Sequence, residues 1–135
     1  MKLSRRKFLK TVAVSASAVS LSGLFSGCAF DPERTKATFP QSVMSGDPRS
    51  DSVIFWTRVA GEPAVNEKLL LVISRNPEFT DLVLYEELTA LADHDHCLKV
   101  RVNNLQPDTT YYYSFTDGIV SSNVGRTKTA PAETD

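Results

Sequence analysis

From Phe39 to Thr129 the chain consists of short runs of β-branched and aromatic residues, each closed by turn formers, and no stretch there keeps a helical period. That pattern limits the fold more than any single residue does. Ser52–Val59, SVIFWTRV, is dense in strand formers and is preceded by the turn-rich Ser45–Asp51, SGDPRSD. Lys68–Ser74, KLLLVIS, is a second run, stopped by Arg75-Asn76-Pro77, and Leu82–Tyr85 is a third. His96–Val102 alternates Leu98, Val100 and Val102 against Lys99 and Arg101, the period of a half-buried strand. Thr109–Thr116, TTYYYSFT, puts Tyr111, Tyr113 and Phe115 on one face and Tyr112 on the other. Asp117-Gly118 turns the chain, and Val124–Thr129 closes the pattern. Short strands spaced by about 8–12 residues predict an all-β sandwich or barrel.

The sandwich is favoured by Leu105-Gln106-Pro107-Asp108-Thr109-Thr110-Tyr111. The spacing L-x-P-x-T-x-Y resembles the corner of fibronectin type III and immunoglobulin-like sandwiches. There the leucine plugs the core, the proline fixes the turn and the tyrosine hydroxyl bonds back to the corner backbone. By the same resemblance Trp56 is expected in the core with Ile54 beside it, and Phe55 on the opposite face. Residues 39–130 are expected to form this domain, at the size of such a sandwich.

The first 27 residues belong to a different class of segment. Lys2, Arg5, Arg6, Lys7 and Lys10 stand there without an acid, so the segment carries +5, whereas the whole chain carries −1 and the remainder therefore −6. Ser4–Lys10, SRRKFLK, has the pattern of a twin-arginine export signal, with Arg5, Arg6, Phe8 and Leu9 as its recognition residues. Thr11–Phe25 is uncharged, mildly apolar and expected to be helical, but at 15 residues it is shorter than the roughly 20 a spanning helix needs. Leu24–Cys28, LFSGC, resembles a lipobox, which makes Cys28 a lipidation candidate and the membrane a partner through a lipid anchor. Ordinary cleavage after Ala29 is the competing reading, and a Cys28–Cys97 disulfide is a further one in an oxidising compartment. Residues 28–38 read as a polar tether. The acidic body offers no electrostatic footprint for nucleic acid. The expected location is periplasmic or cell-surface.

Little in the body points to chemistry. Asp93-His94-Asp95-His96-Cys97 crowds potential metal ligands, and His94 and His96, two apart, would share a strand face. A third or fourth ligand would have to come from elsewhere, and the chain has no other histidine. The plainer reading makes this a polar loop with His96 at the mouth of the strand that follows. Ser45 reads as a turn residue, since G-x-S-x-G is absent. Arg58 and Arg126 are possible phosphate contacts, and Tyr111, Tyr112 and Tyr113 a possible aromatic platform. No paired carboxylates, phosphate-cradling glycine loop or nucleophile triad can be assembled.

Phe39–Pro48, FPQSVMSGDP, followed by Asp51–Arg58, DSVIFWTR, is similar to the opening of PhoD-like alkaline phosphatases, and Leu105–Tyr113 with Gly125–Pro131, GRTKTAP, resembles the end of their N-terminal domain. The resemblance implies an exported metallophosphoesterase that hydrolyses phosphomonoesters and phosphodiesters. It also implies iron and calcium in a larger domain after the sandwich. Residues 131–135 then read as the start of a linker to a catalytic domain absent from this chain. No catalytic, cofactor or metal residue carries over, and this chain alone is expected to be inactive and to bind no metal. Its expected partners are that domain and the twin-arginine translocase, with Phe55, Arg58 and Tyr112 as interdomain contacts. Two other readings stay open: the N-terminal domain of a purple acid phosphatase-like enzyme, and a free-standing lipid-anchored fibronectin-like binding module.

Overall fold

The computed structural model describes residues 38–62 and 64–132. The expectations for Arg5, Arg6, Phe8, Leu9 and Cys28 therefore fall outside the described residues. Among the described residues seven strands follow one another: β1 (Val43–Gly46), β2 (Val53–Arg58), β3 (Glu67–Ser74), β4 (Leu82–Ala90), β5 (Cys97–Val102), β6 (Thr110–Thr116) and β7 (Gly125–Lys128), with one 3-10 turn at Ala92–His94. They form a three-stranded sheet, β1-β2-β5, and a four-stranded sheet, β4-β3-β6-β7, with every pairing antiparallel. This is the all-β sandwich that the strand spacing predicts.

Two stretches differ from the sequence reading. Val43–Gly46 is a strand, although Ser45 and Gly46 read as turn formers; it is a four-residue edge strand whose propensity is overridden by pairing with β2. β4 runs on to Ala90 through Glu86 and Glu87, which an edge strand tolerates because one of its sides is open to water.

The core lies between the sheets. Val53 and Phe55 of β2 and Leu98 and Val102 of β5 meet Leu69, Leu71 and Ile73 of β3 and Tyr111, Tyr113 and Phe115 of β6. Phe55 and Tyr113 pack edge to face at 4.7 Å and 65°, a contact adding about 0.5–1.5 kcal/mol beyond burial alone. The corner is present in full: Leu105 is buried, and the Gln106 N–H donates to Tyr111 Oη at 2.9 Å across the Pro107 turn. The loops 59–66, 91–96 and 117–124 gather at the end where the described chain enters. The loops 47–52, 75–81 and 103–109 gather at the opposite end, where it leaves.

Candidate interdomain surface

Phe55 does not face outward. It is 0% exposed, with Val53 and Thr57 on the same inner face, and so cannot touch another domain. Trp56 is correspondingly not a core residue: it lies half-buried on the outer face with Ile54 and Arg58. The reason is register. Arg58 shares a face with Trp56, and a charge at the end of an alternating strand must meet water, whereas Thr57 can turn inward because its hydroxyl donates to the Ser42 carbonyl at 2.9 Å. Arg58 was thus the signal in the sequence that could have fixed the face.

The outer surface of the three-stranded sheet is therefore defined by cross-strand partners. Met44, Trp56 and Lys99 form one row, and Gly46, Ile54 and Arg101 the next. Arg58 and Cys97 pair at the entry end. Met44 is 58% exposed and Lys99 is exposed, while Trp56, Ile54, Arg101 and Cys97 are half-buried. Arg58 donates in bidentate fashion to Asp95 at 2.9 and 3.0 Å, and also reaches Gln41 Oε1 at 3.3 Å. That guanidinium holds the Asp95 carboxyl below the usual carboxylate range, and Asp95 in turn raises Arg58. At the exit end Arg101 hydrogen-bonds Asp47, which lowers the Asp47 carboxyl in the same way. The surface continues over the β5 edge into an open groove of about 470 Å³ lined by residues including Trp56, Leu88, Leu91, His94 and Cys97. Cys97 is a free thiol.

The other sequence candidates are scattered. Tyr112 is half-buried on the outer face of the four-stranded sheet, opposite Arg126 in the β6–β7 register, so it shares no surface with Arg58. Tyr111 and Tyr113 are core residues and form no ligand platform. Ser45 lies within β1; burial pushes the Tyr113 phenol upward, against a smaller lowering from Ser45. His94 is exposed at the end of the 3-10 turn. His96 is buried, with Nε2 2.8 Å from the Val65 carbonyl. A carbonyl only accepts, so Nε2 carries the proton there. Asp95 and His96 both take left-handed backbone angles, φ 54° and 55°, which breaks the alternation that would have put the two imidazoles on one face. With Asp95 bound to Arg58 and His96 to Val65, this donor set does not fit iron or calcium. Among the described residues no group of three or more His, Cys, Asp or Glu is placed to hold a metal ion.

The fold and its outward faces define a fibronectin type III-like β-sandwich with a tyrosine corner and an apolar, basic-edged outer sheet. The chain belongs to the family described as PhoD-like phosphatase, N-terminal domain, whose model matches residues 25–131. It is 32% identical over 140 residues to alkaline phosphatase D of Bacillus subtilis (strain 168), covering 95% of this chain and 24% of that protein. It is also similar to a solved structure of PhoD, with 35% identity, a TM-score of 0.69 and coverage of 71% of this chain and 20% of that one. The sensor domain of the anti-sigma factor RsgI4 of Pseudobacteroides cellulosolvens shares the fold, at 15% identity and a TM-score of 0.54, over 67% of this chain and 92% of that one. This chain thus spans about a quarter of the length of the alkaline phosphatase it matches.

Proposed function

We propose that this sandwich is the accessory N-terminal domain of an exported alkaline phosphatase D-like metallophosphoesterase. Hydrolysis of phosphomonoesters and phosphodiesters, and the iron and calcium that serve it, would belong to a domain following Pro131. The observation that carries this reading is the family match over residues 25–131 combined with coverage of only a quarter of the curated relative. The unsuited donor set around His94 and His96 agrees with it. The SRRKFLK leader supports export through the twin-arginine translocase, a route suited to a protein that crosses folded. Cys28 is the proposed point of lipid attachment, which would leave the processed protein held at a membrane surface.

The test compares the 135-residue chain with a chimera in which its residues 39–131 replace the matching segment of the Bacillus alkaline phosphatase D. With bis(p-nitrophenyl) phosphate, iron and calcium, the chimera is expected to turn over and the chain alone to give none. Metal-dependent turnover by the purified chain would overturn the accessory role. So would a folded chimera with no activity.

A further inference from the structure

We infer that the outer face of the β1-β2-β5 sheet, centred on Met44, Trp56 and Lys99, is the surface on which the following domain docks. This rests on the accessory-domain reading and assigns the face it uses.

Three observations carry it. The first is where the chain leaves. β7 belongs to the four-stranded sheet, and Thr129 and Ala130 prolong its register with Thr109 and Asp108, while the Ala130 N–H also donates to the Arg49 carbonyl at 3.1 Å, in the loop between β1 and β2. The Ala130 carbonyl accepts from the Asp108 N–H at 3.0 Å, and the Thr129 hydroxyl donates to the Gln106 carbonyl at 2.6 Å. The departing chain is therefore held at the exit end between the β1–β2 loop of the three-stranded sheet and the β5–β6 loop, and a domain beyond Pro131 starts within reach of the three-stranded sheet.

The second is how the two outer faces are finished. On the four-stranded sheet, the Ser114 hydroxyl lies 3.2 Å from that of Ser122, and the Phe115 N–H donates to Ser122 Oγ at 3.0 Å, so the 117–124 loop closes over part of the face. Lys68 and Glu87, diagonal across the β3–β4 register, pair at 3.3 Å on its exposed part. The three-stranded sheet presents Met44, 58% exposed, with Ile54 and Trp56 in adjacent rows, where the other outer face exposes the single aromatic Tyr85 at 46% on its edge strand. Aromatic and methionine side chains at the centre with a polar rim are the composition of an interface core.

The third is charge. The body is net acidic, yet the outward positions of β1, β2 and β5 hold Arg58, Lys99 and Arg101 and no acid. Asp95 and Asp47 hold the two arginines at opposite ends, which leaves exposed Lys99 beside Trp56. The occupant that fits is an apolar patch of the following domain with a carboxylate opposite Lys99. An intrachain interface of this kind buries about 600–1,500 Å², more than one row of side chains supplies, so the groove beside Trp56 is part of it.

Hydroxyl-radical footprinting of the 135-residue chain and of the chimera tests this. Met44 and Trp56 should oxidise on the order of tenfold more slowly in the chimera, as side chains entering a desolvated interface centre do. Tyr85 and Tyr112, on the other sheet, should react equally in both. In the chimera, Lys99→Glu should restore much of the Met44 oxidation while leaving the sandwich folded by circular dichroism. Equal reactivity of Met44 and Trp56 in the two proteins overturns the inference, as does protection confined to Tyr85 and Tyr112 or to the loop residues Val65 and Leu91. An active chimera with unprotected Met44 would sink this docking face and leave the accessory role standing, so the two failures are distinguishable.

Discussion

Gly125 lies directly against the ring of Tyr113: a methyl group built on Gly125 would stand 2.2 Å from Tyr113 Cζ and 2.6 Å from its hydroxyl. The two are partners in the β6–β7 register, and the Tyr113 ring cannot easily give way because it is buried and Phe55 packs on it. Gly125→Ala should therefore destabilise the sandwich by about 1–3 kcal/mol or more, as overpacking of a fixed core does. Gly46 has nothing within 4 Å of the same added methyl, so Gly46→Ala should change stability by no more than about 0.5 kcal/mol. Urea unfolding of the two variants checks this, and equal midpoints would show that Tyr113 can move aside.

The corner separates a plug from a hydrogen bond. Leu105→Ala removes buried volume and should lose about 2–5 kcal/mol. Tyr111→Phe keeps the ring but leaves the Gln106 N–H without its acceptor, for a loss of about 1–3 kcal/mol. Thermal unfolding should rank Leu105→Ala below Tyr111→Phe and both below the parent.

His96 and His94 should behave unlike a ligand pair. His96→Ala removes a buried ring and the donor to the Val65 carbonyl, and should destabilise by about 1–3 kcal/mol. His94→Ala, at an exposed turn position, should be silent within about 0.5 kcal/mol. A differential scan with and without added divalent metal reads both. Equal losses, or a metal-dependent melting shift abolished by either change, would restore the metal-site reading.

Much of this domain is legible in the sequence because antiparallel strands with one wet face write their period into the chain. Leu98, Val100 and Val102 against Lys99 and Arg101, and Tyr111, Tyr113 and Phe115 against Tyr112, specify their faces unaided. Where every residue is apolar the period is silent. Val53-Ile54-Phe55-Trp56 could face either way by composition, and weighting Trp56 as core reversed the strand; Thr57 and Arg58, two residues on, decide it. The docking face was hidden for a different reason. Its rows join residues from three strands, Met44, Trp56 and Lys99, which only the β1–β2 and β2–β5 registers bring together. The αL turns at Asp95 and His96 left only a faint mark, since Asp and His are enriched at positive φ but do not signal it as glycine does.

Titration should expose the two surface ion pairs and the buried Tyr113 in opposite pH ranges. Asp95 and Asp47 have carboxyls lowered by Arg58 and Arg101, so the stabilisation from each pair is present above the unfolded aspartate value of about 3.9 and is lost as pH falls through the lower folded value. Both pairs are exposed, so the effect is small: the gap between the parent and Arg58→Gln should be measurable at pH 7 and close below about pH 4. Tyr113 runs the other way. Burial raises its phenol, so the folded state holds that proton more tightly than the unfolded chain does. Its contribution is intact below about pH 10, the unfolded value, and drains away as pH rises through the folded one. The parent should accordingly lose stability above pH 10 faster than Tyr113→Phe, and the gap between them at pH 7 should narrow there. Parallel alkaline limbs for the two proteins would mean that Tyr113 ionises in the folded state as it does in the unfolded chain, and that the Phe55–Tyr113 packing is looser than the 4.7 Å contact implies.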